Sequence, residues 1–140
     1  MNRLKTYLKL FILVIFAFVF SQCTKQIINF TGVADFTVKN LSTGESVKGA
    51  TVYLGSGLSV RNGDELEFVY VPNAIYAQYE YDVVFSVFNT DKAVSSSPYT
   101  IKVVVENMKA GTHVAGCTAV YESKNTSVRD FAVLNIKVEE

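Results

Sequence analysis

Side chains suited to nucleophilic catalysis are scarce in this sequence. His113 is the only histidine, and Cys23 and Cys117 are the only cysteines. A serine or cysteine nucleophile needs a nearby base, and no G-x-S-x-G turn accompanies His113. The neighbours of Cys117 are small and uncharged, so they offer no cation that would lower the pKa of its thiol. We therefore predict that the chain is not an enzyme, that His113 is a structural corner residue and that Cys117 is a buried small side chain.

The acidic residues form two groups, which are Asp64, Glu65 and Glu67, and Glu80 and Asp82. Alternation along a strand places Glu65 and Glu67 on one solvent-facing side, and Glu80 and Asp82 likewise. Asp64 follows Asn62-Gly63, where a turn accounts for an acidic residue. No D-x-D-x-D-G loop is present, and a zinc site would need three or four Cys or His ligands. We predict no cofactor and no metal, with calcium at a loop rim as the open alternative.

Three tyrosines lie within ten residues in the segment NAIYAQYEYD, at Tyr76, Tyr79 and Tyr81. The segment precedes the longest apolar run, so we expect a loop that leads into a strand. Tyrosines on a loop give rigid, amphipathic contact area, which suits carbohydrate stacking or protein recognition. We predict Tyr76, Tyr79 and Tyr81 as the candidate ligand-binding residues. The alternative is that Tyr81 belongs to the core and the other two cover the end of the domain.

The first residues have the composition of an export signal. Arg3, Lys5 and Lys9 are the only charges before Lys25, and the run from Leu10 to Phe20 has no polar side chain. This run is shorter than the roughly 20 apolar residues that a membrane-spanning helix needs. A basic start followed by a short apolar tract is typical of a secretory signal peptide.

The segment Val19-Phe20-Ser21-Gln22-Cys23 resembles a bacterial lipoprotein signal of the Bacteroidota type. Ser21 suits the small-residue position, whereas Gln22 stands where Gly, Ala or Ser is usual. The resemblance implies a signal peptide at 1–22 and acylation of Cys23. Two alternatives stay open: cleavage after Cys23 would remove it, and earlier cleavage would leave it to pair with Cys117 in an oxidising compartment.

The charge balance limits the partners. The chain has 13 basic and 13 acidic residues, and three of the basic ones leave with the signal peptide. A slightly acidic domain without a basic cluster argues against nucleic acid and against a polybasic membrane patch. We therefore expect a membrane contact through Cys23, with a protein or carbohydrate partner. In Bacteroidota-type lipoproteins an acidic run after the cysteine often signals surface exposure, and its absence here favours the periplasmic face of the outer membrane.

The remainder of the chain alternates like β-strands separated by turns. We predict seven strands, in the segments ADFTVKN, ATVYLG, ELEFVYV, YEYDVVFSVFN, PYTIKVVVE, THVAGCTAVY and DFAVLNIKV. Seven short strands with turn signals between them are what a two-sheet sandwich requires. The sequence therefore predicts an all-β, antiparallel β-sandwich of about seven strands at 33–140, preceded by a tether at 23–32.

The segment from Val83 to Val138 resembles the bacterial immunoglobulin-like domains that recur as accessory modules in secreted glycosidases, adhesins and surface lipoproteins. The local match lies in Ser97-Pro98-Tyr99-Thr100 and in Ala110-Gly111-Thr112-His113. This chain has Glu122-Ser123-Lys124-Asn125 where the family often has an aspartate-rich turn, and it lacks the family's tryptophan. The resemblance implies an immunoglobulin-like fold. It also implies that His113 stands where an aromatic residue often bonds back to the backbone.

These patterns lead to one expectation and two alternatives. The expectation is a non-catalytic, lipid-anchored module in the cell envelope with a structural or binding role. One alternative is a glycan-binding accessory protein that uses the tyrosine-rich loop. The other is an assembly subunit that offers a sheet edge to a partner in a larger envelope complex.

Overall fold

The computed structural model describes residues 25–31, 35–50 and 57–140. They form β1 (Gln26–Thr31), β2 (Asp35–Asn40), β3 (Ser46–Lys48), β4 (Gly57–Val60), β5 (Glu65–Val71), a 3₁₀ turn (Ala74–Tyr76), β6 (Asp82–Val87), β7 (Thr90–Val94), β8 (Tyr99–Val104), β9 (Gly111–Glu122) and β10 (Thr126–Val138). Cys23, the predicted signal peptide and most of the predicted strand ATVYLG lie outside these ranges. No helix in the described ranges has the length and hydropathy to cross a membrane.

The strands build two sheets that pack face to face. The larger sheet has the order β1-β10-β9-β6-β7, with β4 on the same side of β10 as β1 but further along the strand. The smaller sheet has the order β3-β2-β5-β8. β10, β9 and β6 thus lie in one sheet, while β2, β5 and β8 lie in the other. This is the strand distribution of an immunoglobulin-like sandwich. The predicted fold class is confirmed.

The core forms because alternate residues of both sheets point inward. Leu66, Phe68 and Tyr70 are buried on β5, as the alternation predicts, and Val83 and Phe85 are buried on β6. The rings of Phe36, Phe68 and Phe85 meet between the sheets with centroids 6.2–6.4 Å apart. Burial of each such side chain contributes about 1.5–3 kcal/mol, so these contacts hold the two sheets together.

Small residues line the inward face of β9, which lies beside β6. Ala115, Cys117 and Ala119 are all buried. They leave room for Phe85, which pairs directly with Cys117 across the two strands. Burial raises the pKa of the Cys117 thiol to about 12. The predicted role of Cys117 as a small buried side chain is confirmed.

The described strands number ten, so the prediction of about seven was low. β7 was missed because its sequence, TDKAV, has no apolar alternation and its residues are mostly exposed. β4 was missed because it has only four residues. Both β1 and β4 run parallel to β10, so the sheets are not purely antiparallel.

A tight hairpin joins β6 to β7. Its two loop residues, Phe88 and Asn89, both have positive φ, at 49° and 61°. This conformation suits a two-residue hairpin loop, in which Asn-Gly or Gly-Gly is usual and Phe is not. The ring of Phe88 packs edge-on to His113 with centroids 5.7 Å apart, which helps to hold the loop. An unusual loop residue thus hid this hairpin from the sequence pattern.

β1 lies within the segment that we predicted as a tether. Its backbone pairs with the first half of β10, from Gln26 beside Thr126 to Thr31 beside Phe131. The described part of the sandwich therefore includes residues that precede the predicted boundary at residue 33.

Candidate functional site

All six tyrosines in the described ranges gather at one end of the sandwich, here called the tyrosine end: Tyr70, Tyr76, Tyr79, Tyr81, Tyr99 and Tyr121. Neighbouring rings in this group have centroids 4.3–6.4 Å apart. They come from both sheets and from the loop before β6. The structure therefore brings Tyr76, Tyr79 and Tyr81 together with three tyrosines that the sequence pattern did not place with them.

Tyr81 fixes the loop that precedes it. Its side chain is only 2% exposed, and its hydroxyl donates to the backbone oxygen of Tyr76 at 3.0 Å. Its backbone N–H donates to the hydroxyl of Tyr99 at 2.8 Å. At the start of the loop, Oδ1 of Asn73 accepts from the N–H of Ile75 at 2.9 Å and caps the 3₁₀ turn. The loop is therefore held at both ends by side-chain hydrogen bonds.

Tyr76 and Tyr79 are half-buried and pack against the core. Tyr79 stacks on Tyr121 with centroids 4.3 Å apart and planes 16° apart, so one face of Tyr79 is occupied. Tyr76 lies nearly parallel to Tyr79 at 6.3 Å. Because Tyr81 is buried and Tyr79 is partly covered, this group is not a flat, open platform for a sugar ring. Glycan binding by these residues stays a prediction.

A buried carboxylate lies beneath the tyrosines. Asp130 is only 5% exposed, and its Oδ2 accepts from the hydroxyl of Tyr70 at 3.1 Å, while Oδ1 accepts from the N–H of Phe131 at 2.8 Å. Burial raises the pKa of Asp130, although these two hydrogen bonds act in the opposite direction. Burial, followed by the nearby Asp130 charge, also raises the pKa of Tyr70 and brings that of Tyr81 to about 12. The sequence pattern did not predict the Tyr70–Asp130 pair, because Asp130 faces inward on a side of β10 that is otherwise apolar.

The surface of the tyrosine end is apolar at its tip. Ile75 is 71% exposed, Val71 is 51% exposed and Ile27 is 65% exposed, and all three belong to elements that begin or end here. Lys25 bonds to Glu122 and Lys48 to Asp35, and the exposed Glu80, Asp82, Lys124 and Arg129 add two further charges of each sign. This end therefore has an amphipathic surface without a strong net charge.

Hydrogen bonds close the opposite end of the sandwich, here called the far end. The buried Asn40 donates through Nδ2 to Oδ2 of Asp64 at 2.7 Å, and its Oδ1 accepts from the N–H of Ser42 at 2.9 Å. The backbone N–H of Arg61 also donates to Asp64, and this bond is the main cause of the lowered pKa of Asp64. The predicted turn at Asn62-Gly63-Asp64 is present, with φ of +101° at Gly63.

His113 lies at the far end as a corner residue. Its Nε2 is 3.0 Å from the backbone oxygen of Lys109, and its ring packs against Phe88. Gly111, which opens the same strand, has a φ of +141°, as a tight corner requires. The predicted bond from His113 back to the backbone is confirmed.

β8 is a free edge of the smaller sheet. The N–H and C=O of Val105 bond to Asp64 and Gly63 at the start of β5, whereas Glu65, the partner of Val104, directs its N–H and C=O to Ser42 and Leu41 on the opposite side. Since bonding alternates along an antiparallel pair, the backbone groups of Thr100, Lys102 and Val104 point away from β5. No strand in the described ranges pairs with this side of β8.

A cleft of about 270 Å³ opens between β8 and β7 toward the far end. Val87, Phe88 and Val103 supply its apolar lining, and Lys92 and Glu106 lie at its polar margin. Four residues, 95–98, connect β7 to β8, and the cleft lies at the other ends of these two strands. The open backbone edge thus borders an apolar depression.

No group of three or more His, Cys, Asp or Glu side chains is placed to hold a metal ion within the described ranges. A second cleft of about 440 Å³ lies at the far end, lined by the hydroxyls of Ser42, Thr43 and Ser59 and by charged side chains that include Arg61 and Asp64. Two of its charged residues, Arg61 and Glu139, lie 3.9 Å apart as a loose ion pair.

Comparison with solved structures gives a weak likeness and no family. No protein-family profile matches the sequence, and no curated protein sequence matches it. The solved structures that match include the extended catalytic domain of H. jecorina LPMO9A, also known as EG4, at 14% identity and a TM-score of 0.37. That match covers 59% of this chain and 48% of the other, so the matched part is about half of that catalytic domain.

This comparison contradicts the prediction that the chain is not an enzyme, because the matched structure is a catalytic domain. The sequence argument rested on the scarcity of histidine and cysteine, which bears on only some kinds of catalysis. A likeness at this TM-score does not carry the activity of that domain over to this chain.

Proposed function

We propose that this chain is a lipid-anchored, extracytoplasmic immunoglobulin-like module that binds an extended segment of a partner protein along β8. The proposal combines the lipoprotein-type signal at Cys23 with the free edge of β8. The observation that carries it is the outward direction of the backbone groups of Lys102 and Val104 beside an apolar cleft. Thr100 also faces outward, but its N–H already donates to the backbone oxygen of Pro98 at 3.0 Å. The anchor is proposed to hold the module at the outer membrane, on its periplasmic face.

β8 is better suited to accept another strand than the edges formed by β3 and β7. β3, at the other edge of the smaller sheet, has only three residues. β7 exposes Asp91 and Lys92, and charged side chains on an edge discourage pairing with another strand. β8 has six residues and a single charged one, Lys102, while Val104 is 46% exposed. A strand added beside β8 would form hydrogen bonds with several of its outward backbone groups at once, which a short loop could not do.

The side chains of β8 define the sequence of the partner segment. Residues opposite Ile101 and Val103 would face the cleft, where apolar side chains fit beside Val87 and Phe88. The residue opposite Lys102 would lie on the outer face, where an acidic side chain complements the ammonium group. The expected segment is therefore extended and reads apolar, acidic, apolar.

Self-association through β8 is less favourable than binding a different chain. An antiparallel pair of two β8 strands in which Thr100 of each copy lies opposite Val104 of the other would place Lys102 opposite Lys102. Like charges directly opposite each other destabilise a strand pair. A partner with an acidic residue at this position has no such penalty.

Amide hydrogen exchange measured by NMR tests this proposal with the synthetic peptide acetyl-Thr-Val-Glu-Val-Thr-amide. We expect the N–H groups of Lys102 and Val104 to exchange more slowly when the peptide is bound, because each would become a donor to it. Unchanged exchange at both positions at millimolar peptide would contradict the proposal.

Two variants at one position separate the backbone from the side chain. Val104→Pro removes an outward N–H without removing a bond to β5, and it should abolish peptide binding. Val104→Thr keeps the N–H and should bind the peptide as the unaltered protein does. Equal binding by both variants, with equal melting temperatures, would show that the edge is not used. If the unaltered protein forms a dimer and Val104→Pro does not, the segment that binds β8 belongs to a second copy of this chain. That result would overturn the proposal of a different partner protein.

A further inference from the structure

The described chain begins beside the tyrosine end, two residues after the proposed anchor. Cys23 precedes Lys25 by two residues, and each trans peptide step spans about 3.8 Å, so their Cα atoms lie within about 7–8 Å of each other. Lys25 bonds through Nζ to Glu122, and Gln26 pairs with Thr126. Glu122 and Thr126 flank the β9–β10 turn, next to Tyr121. A lipid anchor on Cys23 would therefore be joined to this end of the sandwich through only two residues.

The direction of β10 sets the distance to the far end. β10 has 13 residues and begins at the tyrosine end, so its other end lies roughly 40 Å away along the strand. A connection of two residues spans about 7–8 Å, which is much less than this distance, so an anchor on Cys23 cannot reach the far end. If acyl chains on Cys23 insert into a bilayer, the tyrosine end must lie next to that bilayer.

The chemistry of the tyrosine end suits the boundary between water and lipid. Tyrosine favours this boundary because its ring is apolar and its hydroxyl is polar. Ile75 and Val71 add exposed apolar area at the tip. The net charge around it is small, because four basic side chains balance four acidic ones: Lys25, Lys48, Lys124 and Arg129 against Asp35, Glu80, Asp82 and Glu122. The surface thus matches a zwitterionic lipid headgroup layer better than a strongly charged one.

We propose that the tyrosine end is a lipid-contacting surface, with Ile75 and the half-buried Tyr76 and Tyr79 at the level of the headgroups. This inference rests on the proposed lipid anchor and adds a second membrane contact to it. The acyl chains fix only the point of attachment, whereas an apolar surface beside them fixes the orientation of the domain on the bilayer, because its binding strengthens with the apolar area that it buries. The orientation directs the cleft beside β8 away from the bilayer, where a partner chain can reach it.

Fluorescence quenching by brominated lipid tests the orientation, since the chain contains no tryptophan of its own. The full-length chain is expressed with its signal, purified from membranes and placed in phosphatidylcholine vesicles with or without bromine near the headgroup end of the acyl chains. Ile75→Trp should show a blue-shifted emission and about twofold lower intensity with brominated lipid, as expected for a group at interfacial depth. Val114→Trp is the matched control, because Val114 is also exposed, at 52%, but lies near the far end. Its emission should not change.

The intact mass of the same preparation separates the two proposals. An acylated protein with equal quenching at both positions would overturn the lipid-contacting surface and leave the anchor standing. An unacylated protein that still shows quenching only at Ile75→Trp would remove the anchor and support the surface. Absence of both acylation and quenching would overturn both. A concentration-dependent blue shift of Ile75→Trp without bromine quenching would show that a protein covers this end, which also overturns the inference.

Discussion

The hydroxyl of Tyr70 donates a hydrogen bond of 3.1 Å to the buried carboxylate of Asp130 and thereby joins the two sheets. Tyr70 belongs to β5 of the smaller sheet and Asp130 to β10 of the larger one. Replacing Tyr70 with Phe leaves the carboxylate buried with one donor fewer, and we expect a loss of about 1–3 kcal/mol in the free energy of unfolding. Urea unfolding at pH 7 measures it. Tyr121→Phe is the control, and an equal loss there would show that the Tyr70 bond has no special value.

Asp130 should make stability depend on pH in the acidic range. Its pKa is raised in the folded state by burial, so the native protein binds this proton more tightly than the unfolded chain does. The free energy of unfolding should therefore fall as pH rises from the ordinary Asp value through the raised one. Asp130→Asn should remove this part of the dependence. Parallel curves for the two proteins between pH 3.5 and 7 would contradict the prediction.

Asp64 should have the opposite effect. Its pKa is lowered, chiefly by the bond from the N–H of Arg61, so its stabilisation is present above the ordinary Asp pKa and is lost as pH falls through the lowered value. Asn40→Ala removes a buried donor to Asp64 and should cost about 1–3 kcal/mol at pH 7. Chemical denaturation across pH 2–7 checks both statements. A loss for Asn40→Ala that grows on acidification would refute the link to Asp64.

Gly57 and Gly116 should tolerate a methyl group differently. A Cβ at Gly57 would lie 2.7 Å from the backbone oxygen of Asn135, across the parallel pair of β4 and β10. A Cβ at Gly116 would meet nothing closer than 3.8 Å. We expect Gly57→Ala to lower the melting temperature by several degrees, as about 1–3 kcal/mol of overpacking would do, and Gly116→Ala to leave it nearly unchanged. Similar melting temperatures for the two variants would contradict the close approach of β4 to β10.

The Cys117 thiol should be unreactive in the folded protein. It is 2% exposed and its pKa is raised to about 12 by burial, so little thiolate is present at pH 8. We expect labelling by a maleimide only when urea unfolds the chain. The variant Cys23→Ser is used for this measurement so that Cys117 is the only thiol. Labelling at equal rates with and without urea would place Cys117 at the surface.

The sequence predicted those elements in which one face is apolar throughout. Leu66, Phe68 and Tyr70 alternate with more polar neighbours, and this pattern survives folding because each inward residue finds an apolar environment. β7 has no such face, because an edge strand far from the core is selected for charge rather than burial. β1 was predicted as a tether because its strand pairing depends on β10, which is about 100 residues away in the chain.

The candidate site was predicted only in part for a related reason. Tyr76, Tyr79 and Tyr81 are close in sequence, so their grouping was visible before the structure. Tyr121 and Asp130 lie near them only because the β9–β10 hairpin folds back to this end. No local sequence pattern predicts a carboxylate on an otherwise apolar face. The free edge of β8 is likewise a property of the sheet order, which a single strand's sequence does not contain.

The position of β10 has a consequence for how the domain is made. β10 is the last strand in the chain, yet it pairs with β1, β4 and β9. β1 and β4 therefore keep these backbone groups unpaired until β10 has been synthesised. Such dependence on distant contacts slows folding and favours an all-or-none event over gradual assembly from the N-terminus. During that delay β1 offers an unsatisfied edge to any neighbouring chain, which makes the interval before closure the time at which misassembly is most expected.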